Sequence, residues 1–260
     1  MHPIKPNGNS LSLNTPDYFS DNINTNSPFP SPPSTQMYEG ATAAYTAVRI
    51  SSPSFNIPRP EQIRLRGNIF YRGETINGVP NGKGIITDNN GNVLYDGFVQ
   101  NGVPNGEGTQ HYVREGVKFT GAFVGGNPHG QGKYFCNNVC TYEGEVQNGC
   151  MHGKGVRKPI VTGEIHDGEF VNNVFVNGKI FGKDGHLCYE GALKDNQYHG
   201  YGIQYKRNGE RYKGTFEFGL YHGEGELISP EGNLYKGQFI KGLLHFGTQI
   251  APDGFTKGLW

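Results

Sequence analysis

Neither sign of charge is in excess in this chain: 23 Lys and Arg balance 23 Asp and Glu over 260 residues. Nucleic acid is therefore not an expected partner, because recognising phosphates needs a basic stripe. No hydrophobic run approaches the ~20 residues of a membrane-spanning helix. The opening MHPIKPNGNS has no apolar stretch for a signal peptide, and His2 stands where myristoylation needs glycine. A cytoplasmic location is the resulting expectation. Cysteine is scarce as well. Cys136, Cys140, Cys150 and Cys188 are too few and too uneven for a disulfide framework. Cys136-x3-Cys140 followed by Cys150-x-His152 is not a zinc-ligand spacing, so the cysteines read as small residues at structural positions. Neither a metal nor a cofactor is expected.

Proline and glycine divide the chain near residue 61. Residues 1–60 hold ten of the sixteen prolines but only two of the 41 glycines. Pro, Ser and Asn dominate there, with too little apolar side chain to offset the entropy of ordering, so this part reads as a disordered tail. Its one helical candidate is MYEGATAAYTAV (37–48). Pro30-Ser-Pro-Pro33 fits a minimal polyproline II ligand. Thr15-Pro16, Ser27-Pro28, Ser31-Pro32 and Ser52-Pro53 fit proline-directed phosphorylation, although a linker or tether accounts for the composition equally well.

The remaining 39 glycines are periodic. An aromatic, one residue, a glycine and later an Asn/His-Gly-x-Gly step recur from starts at Tyr71, Tyr95, Phe119, Tyr142, His166, Tyr189, Tyr212 and Tyr235. The spacings are 24, 24, 23, 24, 23, 23 and 23 residues, a period that signifies a repeat architecture. In the fourth copy, Tyr142, Gly144 and Val146 alternate with Glu143 and Glu145, as two faces of a strand require. Asn148-Gly149 supplies the reversal, and the glycines of Gly153-Lys154-Gly155 are expected to share a face and make room for a neighbouring ring. Each copy is thus a β-hairpin that must stack on the next to bury its aromatic. Ile63, Leu65, Gly67, Ile69 and Tyr71 read as one lead-in strand, and Thr256-Lys-Gly-Leu-Trp260 as a terminal half-copy.

The pattern aromatic-x-Gly-x-aromatic, then His-Gly-x-Gly, resembles membrane occupation and recognition nexus (MORN) repeats, most closely in YKGTFEFGLYHGEGEL (212–227) and YEGALKDNQYHGYGIQY (189–205). The resemblance covers residues 71–260. It implies an all-β, elongated twisted antiparallel sheet of stacked hairpins for residues 61–260, and a binding or scaffolding role without turnover. It also implies protein partners, cytoskeletal or membrane association, and homodimers through terminal repeats. Anionic phospholipid is the alternative partner, and targeting of a separate catalytic chain is a further one. The fifth copy departs: His166 replaces the aromatic, Pro159 precedes it, and VNGKIFGKDG (176–185) lacks the second glycine after Asn177-Gly178. A bend or weakened pairing is expected over 156–186.

The recurring His129, His152, His199, His222 and His245 lie about two strand spacings apart, ~10 Å, too far to share one metal. A structural role is expected for them. Residues following the opening aromatic run Arg72, Asp96, Thr120, Glu143, Asp167, Glu190, Lys213, Lys236, basic at the ends and acidic in the middle. This column offers no continuous basic face to a lipid surface. It suggests a protein partner or staggered self-association, with Tyr142, Glu143, Tyr189, Tyr212, Phe216, Tyr235, Phe239 and Trp260 as candidate contacts.

Overall fold

A computed structural model describes residues 62–112 and 116–259. The expectations for residues 1–60, and for Trp260, lie outside these residues. Among the described residues every regular element is a β-strand. The chain forms two compact units that divide at Val156. The first holds β1 (Ile63–Arg64), β2 (Phe70–Ile76), β3 (Val79–Thr87), β4 (Val93–Gln100), β5 (Val103–Tyr112), β6 (Val117–Val124), β7 (Asn127–Cys136), β8 (Val139–Gln147) and all but the last two residues of β9 (Cys150–Arg157). The second holds β10 (Ile165–Val171), β11 (Val174–Phe181), β12 (Leu187–Lys194), β13 (Gln197–Tyr205), β14 (Arg211–Glu217), β15 (Leu220–Ile228), β16 (Leu234–Ile240), β17 (Leu243–Ile250) and β18 (Thr256–Leu259). Within each unit consecutive strands are neighbours, paired antiparallel.

Each copy is a hairpin closed by two residues in the left-handed region. Asn77-Gly78, Gly125-Gly126, Asn148-Gly149 and Phe218-Gly219 are examples, and all such residues have φ between 48° and 88°. This is the type I′ geometry whose twist suits antiparallel strands. The turns are laced together. The N–H of Gly102 donates to Pro80 O, Gly126 to Pro104 O, Gly149 to Pro128 O, Gly219 to Tyr198 O and Gly242 to Tyr221 O, all at 2.8–3.0 Å.

Glycines face glycines across the strands. In the first unit Gly73, Gly84, Gly97, Gly108, Gly121, Gly132 and Gly144 stand side by side, with Gly155 against Gly144. In the second, Gly168, Gly178, Gly191, Gly202, Gly214, Gly225, Gly237 and Gly247 do the same. Onto this Cβ-free lane fold the opening aromatics. A methyl on Gly84 would overlap the Tyr71 ring, one on Gly155 the Tyr142 ring, and one on Gly225 the Tyr212 ring. The ring therefore comes from the glycine's own hairpin, not from the next copy. Neighbouring copies are joined instead through the residue four on, a phenylalanine in four of the eight copies. Phe123 stands edge-on to Tyr95 and Phe119 at 5.0 and 5.4 Å, and Phe239 edge-on to Tyr212 at 5.1 Å. A third row, with Met151, Phe175, Tyr198 and Tyr221, completes the buried face; Tyr198 and Tyr221 stack flat on Tyr189 and Tyr212 at 3.7 and 3.8 Å. Aromatic pairs of this kind contribute ~0.5–1.5 kcal/mol each beyond their buried area.

The two glycines of Gly-x-Gly do not share a face. Gly82, Gly106, Gly130, Gly153, Gly200 and Gly223 have φ between 62° and 102° and form a bulge in the second strand. Gly82 lies under the Glu74 side chain, on the face opposite Tyr71. The bulge leaves a carbonyl on the first strand for the tyrosine hydroxyl: Tyr71 Oη donates to Glu74 O, Tyr95 to Phe98 O, Tyr142 to Glu145 O, Tyr189 to Ala192 O and Tyr212 to Thr215 O, at 2.6–3.1 Å. In the fifth copy the pairing Gly168–Gly178 shows that the ladder glycine is present; the missing residue is the bulge glycine. The eighth copy, with Gly237–Gly247 followed by Phe239–Leu244, is shortened in the same way.

Two further expectations change. The lead-in is not one strand: Gly67 at φ 71° reverses it, Ile63 pairs with Tyr71, and Leu65 N–H donates to Ile69 O. Around the fifth copy, the strand does stop at Arg157 and Pro159 lies in the following loop, where its carbonyl accepts from Gly163. Pairing over β10, β11 and β12 is nevertheless regular apart from single register shifts, so no weakened region extends to residue 186.

Ladder glycines are expected to be far less replaceable than turn glycines. Gly225→Ala forces a methyl into the Tyr212 ring, whose Cζ would lie 2.6 Å away, and overpacking of this kind costs about 3 kcal/mol. Gly219→Ala meets no atom within 4 Å and bears only the ~1 kcal/mol of a left-handed alanine. Urea denaturation of the two variants measures the difference.

Candidate functional site

The residues expected to form an aromatic groove are largely interior. Tyr142, Tyr189 and Tyr212 are fully buried, and Phe216 and Phe239 are 1% exposed. Their rings fill the face they were expected to line. Tyr235 is half-buried, and its unit lacks the bulge glycine found in the other tyrosine-opened copies. Glu143 is exposed, but Lys133 of the neighbouring strand pairs with it at 2.8 Å.

That pair belongs to a row that changes the charge column. Lysines from the returning strands interleave with it: Lys179 lies 3.9 Å from Glu190, and Glu226 lies 2.7 Å from Lys236 and faces Lys213 across the ladder. Lys236 holds the Glu226 carboxyl below its ordinary range, chiefly by their hydrogen bond. Glu143 and Glu190 of the acidic middle are thus paired with lysines of adjacent strands, so the column is less acidic than its own residues suggest. Exposed pairs of this sort contribute little to stability but do set the local field.

The recurring Asn/His column faces the next hairpin's turn. Asn81 Oδ1 accepts from Asn101 N–H at 3.2 Å, and His199 meets the edge of Phe218 at 6.3 Å between centroids. His222 Nδ1 approaches Glu217 of its own hairpin at 3.3 Å. Among the described residues no three His, Cys, Asp or Glu side chains are grouped to hold a metal ion.

What sequence reasoning missed is the set of aromatics outside the buried rows. Phe98, Tyr201, Phe218, Phe246 and Phe255 are exposed, and of those within strands or hairpin turns Phe218 is the most exposed, at 66%. For Phe98 and Tyr201 the signal was available in the alternation, since each is out of phase with its opening tyrosine or ladder glycine. Phe218 occupies the first turn position at φ 49°, where other copies place Asn, Asp or Gly and the eighth Lys241. A bulky side chain in that region costs ~1–2 kcal/mol, and here it gains only partial cover, with its ring against His199. Beside it, the tip of the eighth hairpin exposes Ile240 and Leu243. Its Gly242 N–H donates to Tyr221 O of the seventh hairpin at 2.8 Å, which ties the two tips together.

Stacked hairpins of nearly constant period, with turns laced and aromatics buried on a glycine lane, define a β-repeat protein. The family model for the MORN repeat matches residues 71–93, 95–116, 119–138, 142–158, 189–211 and 212–234. The chain belongs to the MORN-repeat family. The matched copies are the six that carry the bulge glycine; the two shortened copies, opening at His166 and Tyr235, are unmatched. No match to a curated protein was found.

Burial raises the phenol pKa of Tyr134, Tyr142, Tyr189, Tyr212 and Tyr221 well above the ordinary value near 10, with Glu145 adding to the effect at Tyr142 and Glu210 at Tyr221. Below that ordinary value the phenols are neutral in folded and unfolded chains alike, and their burial is fully stabilising. Above pH ~10 the unfolded chain gains the free energy of ionisation and the folded one does not, so stability falls as pH rises. Phenolate absorbance is therefore expected to appear for these residues in one steep step coincident with loss of the strand circular dichroism signal, not as a gradual titration.

Proposed function

We propose that this chain is a non-enzymatic scaffold that binds a protein partner through the hairpin tips of its second unit, at Phe218, Ile240 and Leu243. The observation that supports this reading most is Phe218, an exposed aromatic held in a backbone conformation that disfavours it. A contact to another molecule supplies what folding does not. Exposed Leu243 and Ile240 extend the apolar surface, while Lys241 and Glu217 give it a polar rim.

Other features fit binding better than turnover. MORN-repeat proteins are typically non-catalytic. The recurring tyrosines and glycines are occupied by packing, bulges and turns. Association with a membrane or the cytoskeleton and self-association through terminal repeats remain expectations of the family resemblance, and a cytoplasmic location remains the expectation drawn from the opening residues and hydropathy. For a lipid surface the outward rows are poorly suited, because lysines and glutamates alternate and cancel.

Phe218→Asn restores the common turn residue and is expected to raise stability by ~1 kcal/mol while reducing capture of the partner in a quantitative pull-down. Ile240→Ser is expected to reduce the same captured species. Unchanged capture with both variants overturns the tip as the contact. Salt-sensitive co-sedimentation with phosphoinositide vesicles, and no selective protein capture, favours a lipid adaptor instead.

A further inference from the structure

Asparagine before glycine is chemically labile, because no Cβ shields the glycine nitrogen from the side-chain amide carbon. Whether such a pair reacts depends on how firmly its backbone is held. Three pairs in the first unit form hairpin turns of one geometry: Asn77-Gly78, Asn101-Gly102 and Asn148-Gly149. Their φ values are 50–52° at asparagine and 76–79° at glycine.

The three turns differ in one bond. Gly102 N–H donates to Pro80 O and Gly149 N–H to Pro128 O, each at 2.9 Å, so both turns are tied to the hairpin before them. Gly78 lies in the first hairpin, and no described residue accepts from its N–H. A methyl on Gly78 would meet no atom within 4 Å, and the neighbouring Ile76 is 62% exposed. On its outer side β2 has a described neighbour only at Phe70 and Tyr71. Asn-Gly pairs elsewhere among the described residues are restrained. Gly91 and Gly209 donate to Asp88 O and Lys206 O, and Gly82, Gly106 and Gly178 lie inside paired strands.

We infer that Asn77 is a site of selective intramolecular deamidation. Hydroxide removes the Gly78 amide proton, and the nitrogen forms a bond to Asn77 Cγ. The Cγ–Nδ2 bond breaks, Nδ2 takes up a proton from water, and ammonia leaves a cyclic imide. Water then opens either imide carbonyl, giving aspartate or isoaspartate, with no change of oxidation state. Aspartate keeps the turn, since the sixth hairpin holds Asp195 at the same position with φ 51°. Isoaspartate does not. Its main chain gains a carbon, which a two-residue turn of fixed twist cannot absorb, so the Ile76–Val79 end of the ladder opens.

Peptide mapping by mass spectrometry of the intact chain, aged at mildly alkaline pH, tests the site. Asn77 is expected to convert ~10-fold faster than Asn101 or Asn148, the factor that one intact hydrogen bond supplies. In denaturing urea, where no turn is tied, the three are expected to convert at similar rates. Equal or slower conversion at Asn77 in the folded chain overturns the site. A difference that persists in urea belongs to the flanking residues and overturns the role of the tie. For the opening of the turn, amide exchange at Val79 is expected to accelerate in the isoaspartate fraction but not in Asn77→Asp; equal exchange in the two overturns it.

Discussion

The fold depends on a row of missing Cβ atoms. Glycine opposes glycine across eight strands of each unit, and a tyrosine or phenylalanine ring lies on six of the eight hairpin pairs. No other residue fits: a methyl at Gly84, Gly108 or Gly202 would overlap a ring that is already buried and hydrogen-bonded. A sheet ordinarily buries a face by packing a second layer against it. Here the large side chains lie down on their own backbone, and the residue four on locks one hairpin to the next. Stability is accordingly local to each hairpin and its neighbours, as in other repeat proteins.

The bulge connects this packing to the hydrogen-bond ladder. Inserting a positive-φ glycine in the returning strand leaves a carbonyl near the opening tyrosine, and the hydroxyl takes it. This is why tyrosine outnumbers phenylalanine in the opening position: a buried unbonded carbonyl costs ~1–3 kcal/mol. Phe119 shows that the ring alone can hold the lane, with its unit reinforced by Tyr134 on the flank, whose hydroxyl donates to Gly149 O at 2.6 Å. Where the bulge glycine is absent the ring also leaves the lane. Gly178 and Gly247 would meet only backbone if they carried a methyl. The ring on the lane and the bulge glycine therefore appear and disappear together, and the two copies that lack them are the ones the family pattern does not match.

Much of the fold was legible because one signal, the period of 23 or 24 residues, was repeated eight times. Hairpins, turns and the buried rows at Tyr142, Val146 and their counterparts follow from alternation and Asn-Gly pairs. The errors share a cause. Gly153 and Gly155 were placed on one face because strands alternate strictly, but a left-handed residue between paired positions breaks the alternation. The same blindness to local φ made Gly67 part of a strand instead of its reversal. Glu143 and Glu190 looked like an acidic surface because one column was read alone; their partners Lys133 and Lys179 come from adjacent strands. Sequence spacing names the residues of a row but not the row that interleaves with it.

The site was the least legible part, for a physical reason. In a repeat, the residues that recur are those the lattice requires, so recurrence marks packing and conceals function. Tyr142, Tyr189 and Tyr212 drew attention by recurring, and all are buried. Phe218 recurs nowhere: its equivalents are Asn77, Asn101, Gly125, Asn148, Asn172, Asp195 and Lys241. Seven of those eight turns use a small or polar residue at positive φ, which the turn geometry favours, and only one places an aromatic ring there in solvent. A residue that opposes the local conformational preference and leaves most of its ring in solvent is poorly explained by the fold that tolerates it. Its neighbours Ile240 and Leu243, exposed on the adjoining tip, carry the same implication into the next copy, so the departures cluster where the hairpins end and the lattice makes its fewest demands.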